Sequence, residues 1–224
     1  MQGDRFGVYG ARPHLELAPV TGRRPPAAHE EYLRDWKLVK RARFNAAKRL
    51  ERKHNASTLA FAFAGVIGFL LPFYTLLFTD ELTPHTKNVI DFSAYVTGAL
   101  SLMIGLIEQA KDYPAKARRF DRCGRRVNSV LRRLAMAAPY DVDLRPLVEE
   151  YEKALEECHY NHDEIDFRIA KAQEQVEVLP DKDGAQRQLM LLKLLERVKI
   201  YGLYLATWIL PLLVGIVLWW ALHP

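Results

Sequence analysis

Three stretches of the chain carry no charged residue, and they are long enough to cross a membrane. They are residues 57–78, 92–107 and 200–222, with 22, 16 and 23 residues. An α-helix rises about 1.5 Å per residue, so about 20 apolar residues span a hydrocarbon core of about 30 Å. The first and third stretches reach that length, and the second reaches it when it is extended back to residue 89. We therefore predict three membrane helices, of which the first two form a hairpin at about 57–78 and 89–107.

The segments between these stretches also have helical spacing. From Glu30 onwards apolar residues recur at steps of three and four, and no Pro or Gly occurs before Gly65, which predicts one long helix that enters the first span. The second span is predicted to continue as a basic helix that Pro114 can interrupt and that ends before Pro139. A last helix is predicted to begin near Ala185 and to run into the third span.

Between residues 144 and 176 the apolar positions alternate by four and three throughout. This heptad spacing predicts a seam that packs against another helix, either in the same chain or in a partner. The segment 179–184, which contains Pro180 and Gly184, ends the pattern. The residues selected for this seam are Val148, Tyr151, Leu155, Cys158, His162, Ile165 and Ile169.

Charge predicts how the hairpin is oriented. Nine Lys and Arg face two acids over residues 34–53, and nine face three acids over 108–133, whereas the link 79–88 is acidic. Because short flanks rich in Lys and Arg stay in the cytoplasm, both basic helices are predicted to be cytoplasmic and only the acidic link to lie outside. The third span would then leave the C-terminus outside. The predicted fold class is an all-α membrane protein: a transmembrane hairpin with long cytosolic helical extensions and a third C-terminal transmembrane helix.

These features divide the chain into four parts. Residues 1–28 form a basic, Pro-rich tail that is predicted to be disordered. Residues 29–138 comprise the cytosolic helix, the hairpin and the basic return helix. Residues 139–199 form an acidic cytosolic helical hairpin, since 15 acids face nine basic residues over 141–199. Residues 200–224 form the third transmembrane helix.

Few residues offer catalytic or ligand chemistry. His159 and His162 lie three residues apart, but no third ligand follows at a spacing that suits a metal. Cys123 and Cys158 have neither a CxxC context nor a neighbouring His at a compelling position. No phosphate-binding Gly loop, nucleophile elbow or HExxH occurs, and no ionisable residue falls at mid-depth of a span. We predict no enzyme activity, no cofactor, no metal and no direct nucleic-acid binding, because membrane topology and anionic headgroups explain the basic runs.

Small residues recur at four-residue intervals within the spans, and this spacing permits close contact between helices. The contact can be within the chain or between copies, and the sequence leaves both open. The positions are Ala60, Ala64 and Gly68; Ala94 and Gly98; Ser101 and Gly105; and Gly202 and Ala206.

The order of the motifs resembles a known family. The motifs are Trp36-Lys37, Arg41-Ala42-Arg43-Phe44 and Lys48-Arg49-Leu50 on the first helix, Ser57 at the start of the hairpin, and Tyr113-Pro114 before an Arg-rich helix. Over about residues 30–176 this arrangement resembles the SLATT family, the two-transmembrane effector domains found with nucleotide-sensing modules in prokaryotic conflict systems. The third span departs from the two-span pattern and is similar to a branch, linked to reverse transcriptases, that carries an extra C-terminal helix.

The resemblance implies a bacterial inner-membrane protein that forms pores or disrupts the membrane and kills an infected cell when a partner senses invasion. The partners expected are the lipid bilayer, further copies of the chain in a homo-oligomer, and a sensor protein from the same operon. The alternative is a non-conducting membrane anchor or scaffold that binds a protein partner through its cytosolic helices. An intramembrane enzyme or metal transporter would need additional polar groups or ligands.

Overall fold

The computed structural model describes residues 26–137, 143–158, 160–179 and 182–222, with side chains for all of these except 26–28, 203, 206–208 and 210–222. Most of the tail predicted to be disordered, residues 1–25, lies outside the described residues. The regular structure of the described ranges consists of α-helices, and no strand occurs in them, which confirms the all-α fold class. The helices are α1 (Pro26–Leu77), α2 (Pro84–Ala110), α3 (Tyr113–Met136), α4 (Arg145–Glu156), α5 (Glu164–Val178) and α6 (Lys182–Leu222).

Helix α1 joins the two halves of the molecule. Its 52 residues form one continuous helix, about 78 Å long at 1.5 Å per residue, as the uninterrupted pattern from Glu30 predicts. Residues 57–77 of α1 and 84–107 of α2 are here called the hairpin. The first thirty residues of α1, with α3, α4, α5 and the beginning of α6 up to residue 199, are called the polar bundle.

The hairpin has the character of a membrane-crossing pair. Its turn is short, and the Thr83 side chain caps α2 by accepting a hydrogen bond from the Thr86 backbone N–H at 3.2 Å. The stretches His29–Leu77 and Pro84–Met136 each contain a segment apolar and long enough to span a bilayer, and only 17% and 6% of those segments are buried within the chain. A core helix of a soluble protein would be mostly buried. These exposed apolar surfaces therefore suit contact with lipid.

The third span stays a prediction. Helix α6 continues without interruption to Leu222, but its side chains beyond residue 209 are outside the described set.

The interruption predicted at Pro114 is present. Helix α2 ends at Ala110, Asp112 has a left-handed backbone with φ 46°, and α3 begins at Tyr113. The Asp112 side chain accepts a hydrogen bond from the Ala115 N–H at 3.4 Å and so caps α3. This break turns α3 away from the line of α2 and lets it pack along the first half of α1.

The segment predicted to carry one apolar seam over residues 144–176 contains a break, because α4 ends at Glu156 and α5 begins at Glu164. Asp163, which precedes α5, has an extended backbone, and its N–H donates to Asp166 Oδ2 at 3.1 Å. Acids at the first turn of a helix are favoured by its dipole. This polar start, together with partners on α1, breaks a helix that the apolar spacing alone would continue.

The polar bundle packs on both sides of α1. On one side Trp36 stacks on Tyr151 with ring centroids 4.5 Å apart, within a cluster that includes Val130, Leu134 and Leu144. On the other side α5 packs between α1 and α6. The first half of α1 is thus the central helix of the bundle.

Candidate functional site

A buried ion pair fastens α5 to α1. Arg49 is 5% exposed and Asp166 is fully buried. Arg49 Nε donates to Asp166 Oδ1 at 3.0 Å, and Arg49 Nη2 donates to Oδ2 at 3.0 Å. Asp163 adds a second carboxylate 2.9 Å from the same nitrogen. Burial acts to lower the pKa of Arg49, but the hydrogen bonds and charge of Asp166 outweigh it and raise that pKa. Arg49 therefore stays charged, while burial raises the pKa of Asp166 even though the hydrogen bonds and charge of Arg49 act to lower it.

A second pair fastens α6 to the same helix. Arg52 Nη1 donates to Glu196 Oε2 at 3.0 Å, and Glu196 is 4% exposed. Arg49 and Arg52 are three residues apart, so they leave α1 on adjoining faces. One turn of α1 thereby holds both α5 and α6 just before the hairpin begins.

Arg43 fixes the linker between α4 and α5. Its Nη1 donates to the Tyr160 carbonyl oxygen at 2.5 Å and to Cys158 Sγ at 3.6 Å. Its guanidinium lies 5.6 Å from the centre of the Phe120 ring. Cys158 and Cys123 are both buried in this core cluster and are free thiols. The linker is therefore held to α1 by a buried charge.

A polar contact joins α2 and α6 at the edge of the hairpin. Glu108 is the first ionisable residue after the uncharged stretch 92–107, and it is 8% exposed. The Tyr204 hydroxyl donates to Glu108 Oε2 at 2.6 Å, and Lys111 Nζ donates to Oε1. Hydrogen bonds to a buried carboxylate are among the stronger ones. Any movement of α6 relative to the hairpin has to break or carry this contact, called here the boundary contact.

Small residues bring the hairpin helices together. Ala60, Ala64 and Ala94 are buried, and a Cβ on Gly68 would lie 4.0 Å from the Gly98 Cα. The Ser101 hydroxyl donates to the Thr97 carbonyl oxygen of its own helix at 2.7 Å. Burial of the three alanines and the approach of Gly68 to Gly98 are contacts within one chain, and a role between copies stays a prediction.

Gly105 is the position in the hairpin where a larger residue is excluded. A Cβ there would overlap the Phe61 ring, whereas nothing lies within 4 Å of a Cβ on Gly98. Close packing of this kind holds transmembrane helices together because the lipid provides no hydrophobic force between them.

A cavity of about 80 Å³ lies where α1, α2 and α6 meet. Ala60, Ala64, Ser101, Gly105 and Tyr204 are among its lining residues. This volume has room for a few water molecules, and the hydroxyl groups offer partners. The small-residue positions thus surround a space within the hairpin.

Helix α6 has two apolar faces. One is buried against α1 and α5 and includes Ala185, Leu192 and Ile200. The other is exposed over more than four turns, and we call it the free face of α6. Its residues are Met190, Leu191, Leu194, Leu195, Val198, Tyr201 and Leu205, each more than 45% exposed.

The predicted seam residues are divided among three contacts. Val148 and Tyr151 on α4 pack against the Trp36 cluster. Leu155 and Cys158 belong to the core cluster with Cys123. Ile165 and Ile169 on α5 pack with Leu192 of α6. The two halves of the predicted seam therefore contact different neighbours.

His162 lies in the linker and stacks on Phe167 with ring centroids 5.9 Å apart. Burial, together with the charge of Arg43, lowers the pKa of His162 to about 4, so the ring is neutral at pH 7. Its Nδ1 has no hydrogen-bond partner among the described residues. His159 lies outside the described residues, and within the described ranges no group of three or more possible metal ligands comes together.

Sequence reasoning missed the Arg49–Asp166 pair, the boundary contact and the free face of α6. The free face of α6 could have been predicted from the sequence. The segment 189–195 contains five Leu and one Met among its seven residues, which is more than one face of a helix can hold. Glu108 was visible as the residue that ends an uncharged run, but its partner on α6 was not.

Fold and contacts define the class of protein: an all-helical chain in which a membrane-type hairpin is attached to a charged helical bundle. The family model described as SMODS and SLOG-associating 2TM effector domain family 5 matches residues 27–217, and the chain belongs to this SLATT family. The predicted family is thereby confirmed, and with it a general effector role. No curated protein and no solved structure matches the chain.

Proposed function

We propose that this chain is a pore-forming or membrane-disrupting effector of a bacterial anti-phage system, and that copies of it oligomerise in the inner membrane through the free face of α6. The family is one of effector domains. The described residues offer no group of metal ligands, and the sequence holds no catalytic motif. We therefore propose that the effector acts through its helices in the lipid bilayer.

The single observation that carries the proposal is the free face of α6. Met190, Leu191 and Leu194 are each more than half exposed, and they precede the predicted third span. Lipid covers apolar side chains inside the membrane. It does not cover these three residues, because they precede the predicted span. Apolar area in water costs about 25 cal/mol per Å², and contiguous exposed apolar patches mark interaction sites.

A second copy suits this face because membrane insertion orients all copies in the same direction. The free face of α6 in one chain then meets the same face of a neighbour at the same depth. Leu191, Leu194, Val198, Tyr201 and Leu205 follow one another at steps of three and four, which is the spacing of a helix–helix seam. The hairpins, whose apolar surfaces stay exposed, are carried next to one another by this contact.

Control of the effector is proposed to come from a sensor protein encoded in the same operon. The family description names association with SMODS and SLOG modules. A sensor that binds one packing of the polar bundle more tightly than another shifts the population between them. Arg49, Arg52 and Arg43 fix the present packing from a single helix, so they are the contacts that such a shift has to change.

The test is dye release from liposomes that contain the purified chain, made with inner-membrane lipids. Leu194→Glu places a charge at the centre of the free face, and we expect it to reduce release at least tenfold. Gln188→Glu adds the same charge beside the free face on an exposed position of α6, and it is expected to keep the wild-type rate. Vesicles that stay intact with the wild-type chain, both alone and with the sensor added, would refute the pore. Equal release by wild type and Leu194→Glu would refute the interface only.

The anchor alternative is separated by expression in cells. An effector that opens the membrane depolarises it and stops growth, and Leu194→Glu relieves both effects. A non-conducting anchor leaves the membrane potential unchanged at every expression level, whichever variant is expressed.

A further inference from the structure

Two buried thiols lie in one core cluster, the first on α3 and the second just after the end of α4. Cys123 is on α3 and is 3% exposed, and Cys158 follows α4 and is 2% exposed. Cys123 and Cys158 belong to the same core cluster, and each thiol shifts the pKa of the other. The Cys123 sulfur lies 3.5 Å from the Ala154 carbonyl oxygen, one turn before Cys158. These are the two cysteines of the chain, and neither the family description nor the proposed function uses them.

The surroundings of Cys158 suit a thiolate. Arg43 Nη1 lies 3.6 Å from its Sγ. The interaction with Cys123 and the charge of Arg43 outweigh burial and lower the pKa of Cys158, while the same interaction and burial raise the pKa of Cys123. A thiolate beside a cation is the nucleophilic form of cysteine.

We propose that Cys158 and Cys123 form a peroxide-sensitive pair that closes an intramolecular disulfide between α3 and the α4–α5 linker. The Cys158 thiol gives up its proton, and the thiolate attacks one oxygen of hydrogen peroxide; the O–O bond breaks, the hydroxide that leaves takes up a proton equivalent to the one released and becomes water, and Cys158 becomes a sulfenic acid. The Cys123 sulfur then attacks the Cys158 sulfur, and its proton leaves with the sulfenic oxygen as water. Two thiols are oxidised by two electrons, and one peroxide is reduced to two waters.

Cys158 is 2% exposed, so peroxide reaches its sulfur when the linker between α4 and α5 opens. Residues 157–163 lie between α4 and α5 and are joined to α1 chiefly by Arg43 and Arg49. A local opening of this linker exposes the sulfur without unfolding any helix. Once formed, the disulfide closes a loop of about 35 residues and holds the linker on α3. The disulfide lowers the conformational entropy of the unfolded chain and so raises the midpoint temperature of unfolding.

The experiment treats the full-length protein in detergent micelles with a few molar equivalents of hydrogen peroxide, followed by alkylation and peptide mapping without reductant. We expect the peptides of Cys123 and Cys158 to be joined within a monomer, the protein to lose two mass units, and dithiothreitol to reverse both changes. A crosslink only between two copies, or two thiols that stay free until the protein is denatured, overturns the proposal.

Two variants test the order of the steps. In Cys123→Ser the sulfenic acid on Cys158 has no partner, so dimedone is expected to label it. In Cys158→Ser we expect Cys123 to be labelled at least tenfold more slowly. Equal labelling of the two variants overturns the assignment of Cys158 as the attacking thiol. The peptide map of the wild-type protein shows whether the disulfide forms, even if one of these variants folds poorly.

Discussion

The two halves of this molecule are held together by different forces, although one helix runs through both. In the polar bundle α1 is fixed by buried ion pairs, chiefly Arg49 with Asp166 and Arg52 with Glu196. In the hairpin the same helix is fixed by close packing of small residues such as Ala60 and Ala64. Water drives apolar surfaces together in the first half, whereas lipid does not in the second. The bundle is therefore sensitive to charge and the hairpin to volume.

The largest expected effect comes from breaking the buried pair of the bundle. Asp166→Ala leaves Arg49 buried without its main partner, and we expect it to cost about 3–5 kcal/mol of unfolding free energy. Removal of both partners in Arg49→Met with Asp166→Leu is expected to recover most of that loss. The measurement is thermal unfolding in micelles, followed by circular dichroism.

The matched control is an exposed pair on α3. Arg125 Nε lies 2.8 Å from Asp121 Oδ2 at the surface, and Asp121→Ala is expected to cost about 0–1 kcal/mol. If Asp166→Ala and Asp121→Ala lowered the midpoint equally, the bundle would not depend on buried charge.

The boundary contact gives the next largest effect. Tyr204→Phe removes the hydroxyl that donates to Glu108 and leaves the ring, so we expect a loss of about 1.5–3 kcal/mol. Tyr201→Phe, one turn earlier on the exposed face of the same helix, is expected to change little. A midpoint for Tyr204→Phe equal to that of Tyr201→Phe would show that the carboxylate does not hold α6 to the hairpin.

The hairpin should respond to volume instead. Gly105→Ala places a methyl group against the Phe61 ring, and an overpacked site of this kind costs about 1–3 kcal/mol. Gly98→Ala is in the same helix with open space around the new Cβ, so it is expected to be neutral. Phe61→Leu combined with Gly105→Ala should restore stability, and a failure to do so would place the strain elsewhere.

The sequence predicted the parts of the fold that depend on periodicity. The long first helix, the hairpin and the break at Pro114 are read from runs of apolar residues and from one Pro, which act over a few neighbouring residues. The break between α4 and α5 was not predicted, because the apolar spacing continues there. What ends α4 and begins α5 is a set of polar partners on α1.

Contacts between charged residues that lie far apart along the chain could not be predicted from the sequence, for the same reason. Arg49 and Asp166 are 117 positions apart, and each is one of many charged residues. Only the packing of α5 on α1 shows which Arg meets which Asp. The free face of α6 differs, because its density of Leu is visible in the sequence once both faces of the helix are counted.

The smallest expected effect is a pH dependence that belongs to the bundle alone. Burial holds the pKa of His162 at about 4, below its ordinary value of 6.5. The unfolded chain therefore takes up a proton at a higher pH than the folded chain does. Protonation favours unfolding, so the stability that His162 contributes is complete above about pH 6.5 and is lost as the pH falls towards 4. Because the ring is partly in contact with solvent, we expect about 1 kcal/mol, or about 2–4 °C in the midpoint.

His162→Gln removes the imidazole that takes up the proton. The carboxylates titrate in both the wild type and the variant, so the difference between the two proteins reports His162. We expect the midpoint of the variant to fall less than that of the wild type between pH 6.5 and pH 4. His85→Gln changes an exposed histidine at the start of α2, in the hairpin, and is expected to keep the wild-type slope. If His85→Gln flattened the slope and His162→Gln did not, the sensitivity to charge would lie in the hairpin. The division between a charge-held bundle and a volume-held hairpin would then be wrong.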